Sequence, residues 1–223
     1  AEQIAVEHPD SLLAEKQGVL SLEDILSIRE CIKISQRTMD FFKKWKEEFS
    51  SLIAEYESFC DLNEIDDLLR KSFNEHNELS EKKYPNLKKI KREIVSTRNE
   101  IEKKMNSLLH NNAMDSILQE KVYTTRNEKY VVLVKANQKG KLKGTVHDIS
   151  SSGATFYVEP ESIAPFNNTL LMLDREYRNE INAILRNLSK EIANKSNDIR
   201  HNFERLSYID FIAAAARFSS AIK

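Results

Sequence analysis

Glycine and proline are scarce, with four of each in 223 residues, where average usage would supply roughly 12% between them. The glycines stand at Gly18, Gly140, Gly144 and Gly153, so none interrupts residues 19–139 and none follows 153. A doubly wound nucleotide-binding sheet needs glycines at its strand-to-helix turns. A phosphate loop of the form G-x-x-x-x-G-K-[ST] needs two of them five apart, a spacing that no pair here has. Long apolar runs are also missing: none approaches 18 residues, so no membrane span is expected. The first ten residues lack a basic stretch followed by an apolar one and do not read as a signal peptide. Because the chain begins with Ala1 rather than Met, we expect a piece of a longer protein. The two cysteines, Cys31 and Cys60, lie on segments that read as helical; free thiols, buried or half-buried, in a reducing cytoplasm are the expectation. With five scattered histidines they make no zinc-ligand spacing.

Charge is abundant, at 31% of residues against 8% aromatic, which points to long helices with solvated faces. The net charge of −1 hides an asymmetry. Residues 1–80 hold nine Lys and Arg against 18 Asp and Glu, net −9, whereas residues 81–112 hold nine against four, net +5. Residues 121–143 hold seven against one, net +6, and residues 144–223 nine against ten. Two neighbouring basic segments in an otherwise acidic or neutral chain bear on its partners.

Residues 1–20 read as a short helix and a turn. Ser21 and Asp24 form a capping-box variant, followed by Leu22, Ile25, Ile28, Ile32, Met39 and Phe42 at helical spacing. Further helices are expected over 48–59, with Phe49, Leu52, Ile53, Tyr56 and Phe59, and after Asp61, with Ile65, Leu68, Leu69 and Phe73. Trp45, Phe41, Phe42 and Phe49 read as core. Residues 74–85 read as a loop or irregular strand ending at Pro85. Leu87, Ile90, Ile94, Thr97, Ile101, Met105 and Leu108 then repeat in steps of three and four, as in a coiled coil. A second such stripe runs through Tyr177, Ile181, Leu185, Leu188, Ile192, Ile199, Phe203 and Leu206, with an interruption near Lys195 and Ser196. Between them, 122–125, 130–134, 145–149 and 154–158 read as two strand pairs, and three of the four glycines fall here. The expected fold is mainly α: a helical core (1–85), a first long helical region (86–120), a small antiparallel β tip (121–160) and a second long helix (161–205) antiparallel to the first. The last segment (206–223) is expected to pack back on the core.

The motifs within the β region are specific. Arg126-Asn127-Glu128-Lys129-Tyr130-Val131-Val132-Leu133-Val134-Lys135 is followed by Gly144-Thr145-Val146-His147-Asp148-Ile149-Ser150-Ser151-Ser152-Gly153-Ala154-Thr155, then Glu159-Pro160 and Asn167-Asn168. This resembles the "MutS type two" branch of the MutS family, with its R-x-G-R-Y-V-I-P-V-K, G-x-V-H-D-x-S-x-S-G-x-T, E-P and N-N patterns. Pro85-x-Leu87-x-x-Ile90, with Arg92 and Ile94 after it, and Leu20-Ser21-Leu22-x-x-Ile25 resemble it too. Glu128 stands where the family often has Gly, and Leu133 where it often has Pro. The resemblance implies a core, paired levers and a clamp-like tip, with an ATPase domain binding ATP and Mg, and often a nuclease domain, beyond Lys223. It implies no cofactor within these residues. It further implies a bacterial cytoplasmic protein, homodimeric at full length, that acts on branched DNA in DNA repair and suppression of homologous recombination, or on collided ribosomes.

Lys121, Arg126, Lys129, Lys135, Lys139, Lys141 and Lys143 are the candidate nucleic-acid contacts, since lysines on a tip can neutralise phosphates without reading bases. Six such contacts would give a salt slope of about −5. A solvated charged loop is the alternative, and a solvated face is the expectation for Lys88, Lys91, Arg92 and Arg98. His147 and Asp148 with Ser150, Ser151 or Ser152 do not make a catalytic triad, since no G-x-S-x-G elbow is present. His147, Asp148, Ser150, Ser152, Gly153 and Thr155 are expected to shape a turn, and Glu159-Pro160 to mark a strand exit. A coiled-coil scaffold without nucleic-acid contact is the competing reading. The chain by itself is expected to show no ATPase or nuclease turnover above background, which an assay of residues 1–223 checks.

Overall fold

The computed structural model describes residues 18–45, 47–48 and 57–221. The helices expected over 1–20 and 48–59 fall mostly outside the described residues, as does Phe49. The chain divides into two compact units, residues 1–84 with 181–223, and residues 85–180.

In the first unit, helix α1 (Leu22–Trp45) starts at a reciprocal capping box. Asp24 N–H donates to Ser21 Oγ at 3.1 Å, and Ser21 N–H donates to Asp24 Oδ2 at 3.0 Å. Two of the orphan amides of the first turn are thus satisfied. Helix α2 (Asn63–Ser72) follows. Their apolar faces meet Ile184, Leu185, Leu188, Ile192 and Ile199 in one core. Cys31 of α1 is a buried free thiol, and burial pushes its pKa up to about 11, which disfavours the nucleophilic thiolate. Phe42 is buried, but Phe41, expected in the core, is 55% exposed, because it precedes Phe42 and so lies about 100° round the helix from it, off the buried stripe.

The second unit opens with helix α3 (Pro85–Leu109). Pro85 is its first residue rather than the end of the loop before it, as proline's fixed φ and missing donor favour. Leu87, Ile90, Ile94, Ile101, Met105 and Leu109 are its buried stripe, which has the expected period. Strands β1 (Leu118–Arg126), β2 (Lys129–Lys135), β3 (Gly144–Ile149) and β4 (Thr155–Pro160) form one antiparallel sheet in the order β1-β2-β4-β3. Val132, Val134 and Val158 share a core with α3 and with Leu170 and Leu173 of helix α4 (Ala164–Asn194). The chain is therefore mainly helical with a four-stranded antiparallel sheet.

Helix α5 (Ser196–Ala221) begins after a break at Lys195. Its second half differs from the expectation that 206–223 packs back on the core: Phe211 is 71% and Phe218 69% exposed. The apolar residues of this stretch do not gather on one face, so no single orientation buries them.

The sheet's backbone is tightly constrained at the β1–β2 turn and at Gly144. The β1–β2 hairpin closes through Asn127 (φ 51°) and Glu128 (φ 62°), with Arg126 opposite Lys129, a two-residue turn with both φ positive that normally selects Asn-Gly. Gly144 lies against β4, where an added Cβ would stand 2.2 Å from the Glu159 carbonyl oxygen. Glu128→Gly should raise the stability by about 1 kcal/mol by relieving the left-handed strain. The Glu128–Arg178 pair that it removes spans 3.7 Å at the surface and contributes little. Gly144→Ala should cost about 3 kcal/mol, since backbone must move. Urea unfolding of both variants checks the opposite signs.

Candidate functional site

The register of the sheet creates a specific problem at one point. Ala136 N–H donates to the Ala154 carbonyl at 3.0 Å, and Val134 faces Phe156 and Val132 faces Val158. Hydrogen-bonded pairs alternate along an antiparallel ladder, so the next is Tyr130 with residue 160. That residue is Pro160, which has no N–H to give.

Asn167, on the first turn of α4, fills the place. Its Oδ1 accepts from Tyr130 N–H at 3.1 Å and its Nδ2 donates to the Tyr130 carbonyl at 3.1 Å. A carboxamide presents one acceptor and one donor much as a peptide unit does, so it continues the ladder past the proline. Nδ2 also donates to Glu159 Oε1 at 2.8 Å.

Glu159 is 2% exposed and its other oxygen has two further donors. His147 Nε2 lies 2.6 Å away and Lys129 Nζ 3.1 Å. A buried carboxylate needs such partners, since leaving it unpaired is strongly destabilising. The β3 register slips between Val146 and Asp148, and this bulge makes His147 the extra residue, which re-aims its side chain. Burial pushes the Glu159 carboxyl up, but the hydrogen bonds from Asn167, His147 and Lys129, with the Lys129 charge, outweigh it and leave the pKa below the ordinary value. Glu159 is thus ionised and His147 Nε2 carries the proton it shares. Lys129 Nζ also reaches Asn168 Oδ1 at 3.4 Å.

His147 therefore does not shape the β3–β4 turn as expected, whereas Glu159 and Pro160 are the last two residues of β4, the strand exit expected of them, with Glu159 also buried. The turn itself is held by Ser150 and its neighbours. Thr155 N–H donates to Ser150 Oγ at 3.1 Å, Gly153 N–H to the Ser150 carbonyl at 2.8 Å, and Gly153 has φ 73°. Asp148 Oδ1 accepts from Ile149 N–H at 2.8 Å, and Ser152 Oγ lies 3.3 Å from Ser150 Oγ.

The seven basic candidates separate into two groups. Lys129 belongs to the buried network. Lys121 pairs with Asp115 at 2.7 Å, and Arg126 lies over the Tyr157 ring at 4.5 Å and 3.5 Å from Asp148. Lys135 Nζ caps the carbonyls of Asp115 and Ser116 at 3.5 and 3.4 Å. Lys139 and Lys141 lie on the 3-10 turn Ala136–Lys141 between β2 and β3, and Lys143 follows it. Lys139 stacks over Phe156 at 4.9 Å, and all three are exposed. Among the described residues no cluster of His, Cys, Asp and Glu could hold a metal ion, and no helix is long and apolar enough to cross a membrane. Asn167 stands in the motif but not among the candidate site residues; the signal that could have found it is the proline at the end of β4, which leaves a carbonyl across the ladder in need of a donor.

These features define a helical protein that carries a small antiparallel sheet, joined to a long helix by a buried polar network and bearing exposed lysines on one connection. No protein-family model matches the chain. The protein named Endonuclease MutS2 of Clostridium perfringens is 34% identical over 209 residues, 93% of this chain and 26% of that protein. Proteins of the same name from Halothermothrix orenii and Thermotoga neapolitana are 30% identical over 218 residues and 34% over 178, covering 94% and 80% of this chain and 28% and 22% of theirs. The chain thus spans about a quarter of the length of the curated relatives it matches. These similarities support the MutS2 family for this chain, the same branch that its motifs resemble.

Glu159 makes stability depend on acid. With a depressed folded-state pKa, its contribution is fully present above the ordinary carboxyl value near 4.5 and is lost as pH falls through the lower folded value. Urea midpoints measured from pH 6 to pH 2 should fall across that window, and Glu159→Gln should flatten that part of the curve; an identical acid profile in the variant would refute the assignment.

Proposed function

We propose that this chain is the nucleic-acid-embracing part of a MutS2 protein, its sheet acting as a clamp on branched DNA and its long helices as levers. The supporting observation is the connection between β2 and β3, where Lys139, Lys141 and Lys143 stand exposed together. Three lysines on a short connection offer point charges to a phosphate backbone and no planar fork for reading bases. The ATPase that would drive closure, with its ATP and Mg, and any nuclease activity would lie in other parts of the full-length protein. The setting would be the bacterial cytoplasm, and full-length dimerisation would bring two such clamps around one substrate.

The free charge is smaller than the sequence alone implies. Four of the seven candidates have ion-pair or hydrogen-bond partners within the chain, and Lys139 only a ring beneath it, so three phosphates per chain, and a salt slope of about −3 rather than −5, follow. Phosphates of a ribosome present the same chemistry, which makes a collided ribosome the alternative target. A protein-binding scaffold is favoured by a different observation, the exposed Phe211 and Phe218 of α5.

Replacing Lys139, Lys141 and Lys143 with Glu and titrating branched DNA and ribosomes against salt separates these readings. The clamp reading expects at least tenfold weaker DNA binding and a shallower slope. Loss confined to ribosomes favours the second target, and unchanged affinity for both leaves the scaffold.

A further inference from the structure

We propose that Asn167 is a positioning residue for the phosphate-contacting lysines. Its side chain replaces the strand amide that Pro160 lacks and so fixes β2, β4 and the first turn of α4 as one piece from which the lysine connection projects. The inference rests on the clamp reading for its functional part and on geometry alone for the splice.

The geometry runs in short steps. Asn167 is 1% exposed and uses both polar atoms of its carboxamide, on Tyr130 and on Glu159. Its own N–H donates to the Ile163 carbonyl at 3.1 Å, and Ile163 N–H to the Pro160 carbonyl at 2.9 Å, so the turn leading out of β4 aims the side chain back at β2. Both ends of the lysine connection are anchored on the residues that flank β4: Ala136 N–H donates to the Ala154 carbonyl and Glu161 N–H to the Lys143 carbonyl, each at 3.0 Å. Gly144, opposite Pro160, leaves no room for slack, since even a Cβ would collide with the Glu159 backbone. The Lys139 ammonium rests on Phe156 of the same strand. β4 is therefore the common support of all three lysines, and Asn167 ties it to β2 where their ladder would otherwise stop. Asp lacks the donor that both Tyr130 and Glu159 require, and Gln sets the same groups one methylene farther out, so neither reproduces this fit.

The test combines amide exchange with binding, on the whole chain. Asn167→Ala should speed exchange of the Tyr130 amide about 100-fold while amides of α1 keep their rates. The same variant should weaken branched-DNA binding about tenfold and lower the salt slope. Asn167→Ser, smaller but polar, replaces it if the alanine variant does not fold. Unchanged Tyr130 protection overturns the splice. Faster Tyr130 exchange with unchanged affinity and slope overturns the positioning role. If the triple lysine-to-Glu variant itself binds DNA normally, the clamp reading falls, and with it the positioning role, while Tyr130 exchange still decides the splice.

Discussion

A buried carboxylate governs the second unit. Glu159 sits 2% exposed between two strands and a helix, a position that is tenable only because Asn167, His147 and Lys129 all donate to it. Each donor comes from a different element: α4, the β3 bulge and the end of the β1–β2 hairpin. The charge cannot be relieved by one of them moving, because an incompletely paired ion in a low-dielectric interior is costly. The bulge that re-aims His147 and the turn that brings Asn167 back onto the sheet both deliver donors to that one group.

The first unit uses the same device in neutral form. Ser189 Oγ accepts from Leu20 N–H at 2.9 Å and donates to the Leu185 carbonyl at 2.7 Å. Asn202, fully buried, brackets Cys60 with bonds to its N–H and carbonyl at 2.8 and 2.9 Å. His201, the residue before Asn202 on the helix, has its Nε2 2.7 Å from the Ser58 carbonyl. Helices α4 and α5 thus carry small polar side chains at intervals that pin irregular backbone to a helix face. These side chains hold segments that have no regular secondary structure of their own. Buried backbone groups must be paired by some means, and here side chains supply the partners.

Much of this was legible beforehand. Periodicity located the buried stripes of α3 and α4, because helix burial follows 3.6-residue spacing, and β-branched runs located all four strands. The capping box at Ser21 and Asp24 was readable from spacing alone. The end of α5 was not, because apolar content suggests burial only when it gathers on one face, and Phe211 and Phe218 do not complete one. The lysines were legible as a charge run, but not which of them were already engaged: the partners of Lys129 and Lys135 lie 19 to 39 residues away in sequence. The His147-Asp148, Glu159-Pro160 and Asn167-Asn168 motifs were visible as words. Their meeting at one carboxylate depends on strand order and a bulge, neither of which a linear pattern encodes.

The central claim is that Asn167 stands in for the amide missing from Pro160. A double-mutant cycle on these two residues tests it most directly. Asn167→Ala alone should cost about 3 kcal/mol, by leaving the Tyr130 groups and one Glu159 oxygen short of partners. In a Pro160→Ala background, the new N–H can serve the Tyr130 carbonyl, and the cost of Asn167→Ala should shrink by about 1 kcal/mol or more. Additive effects, with the same cost in both backgrounds, would contradict the account.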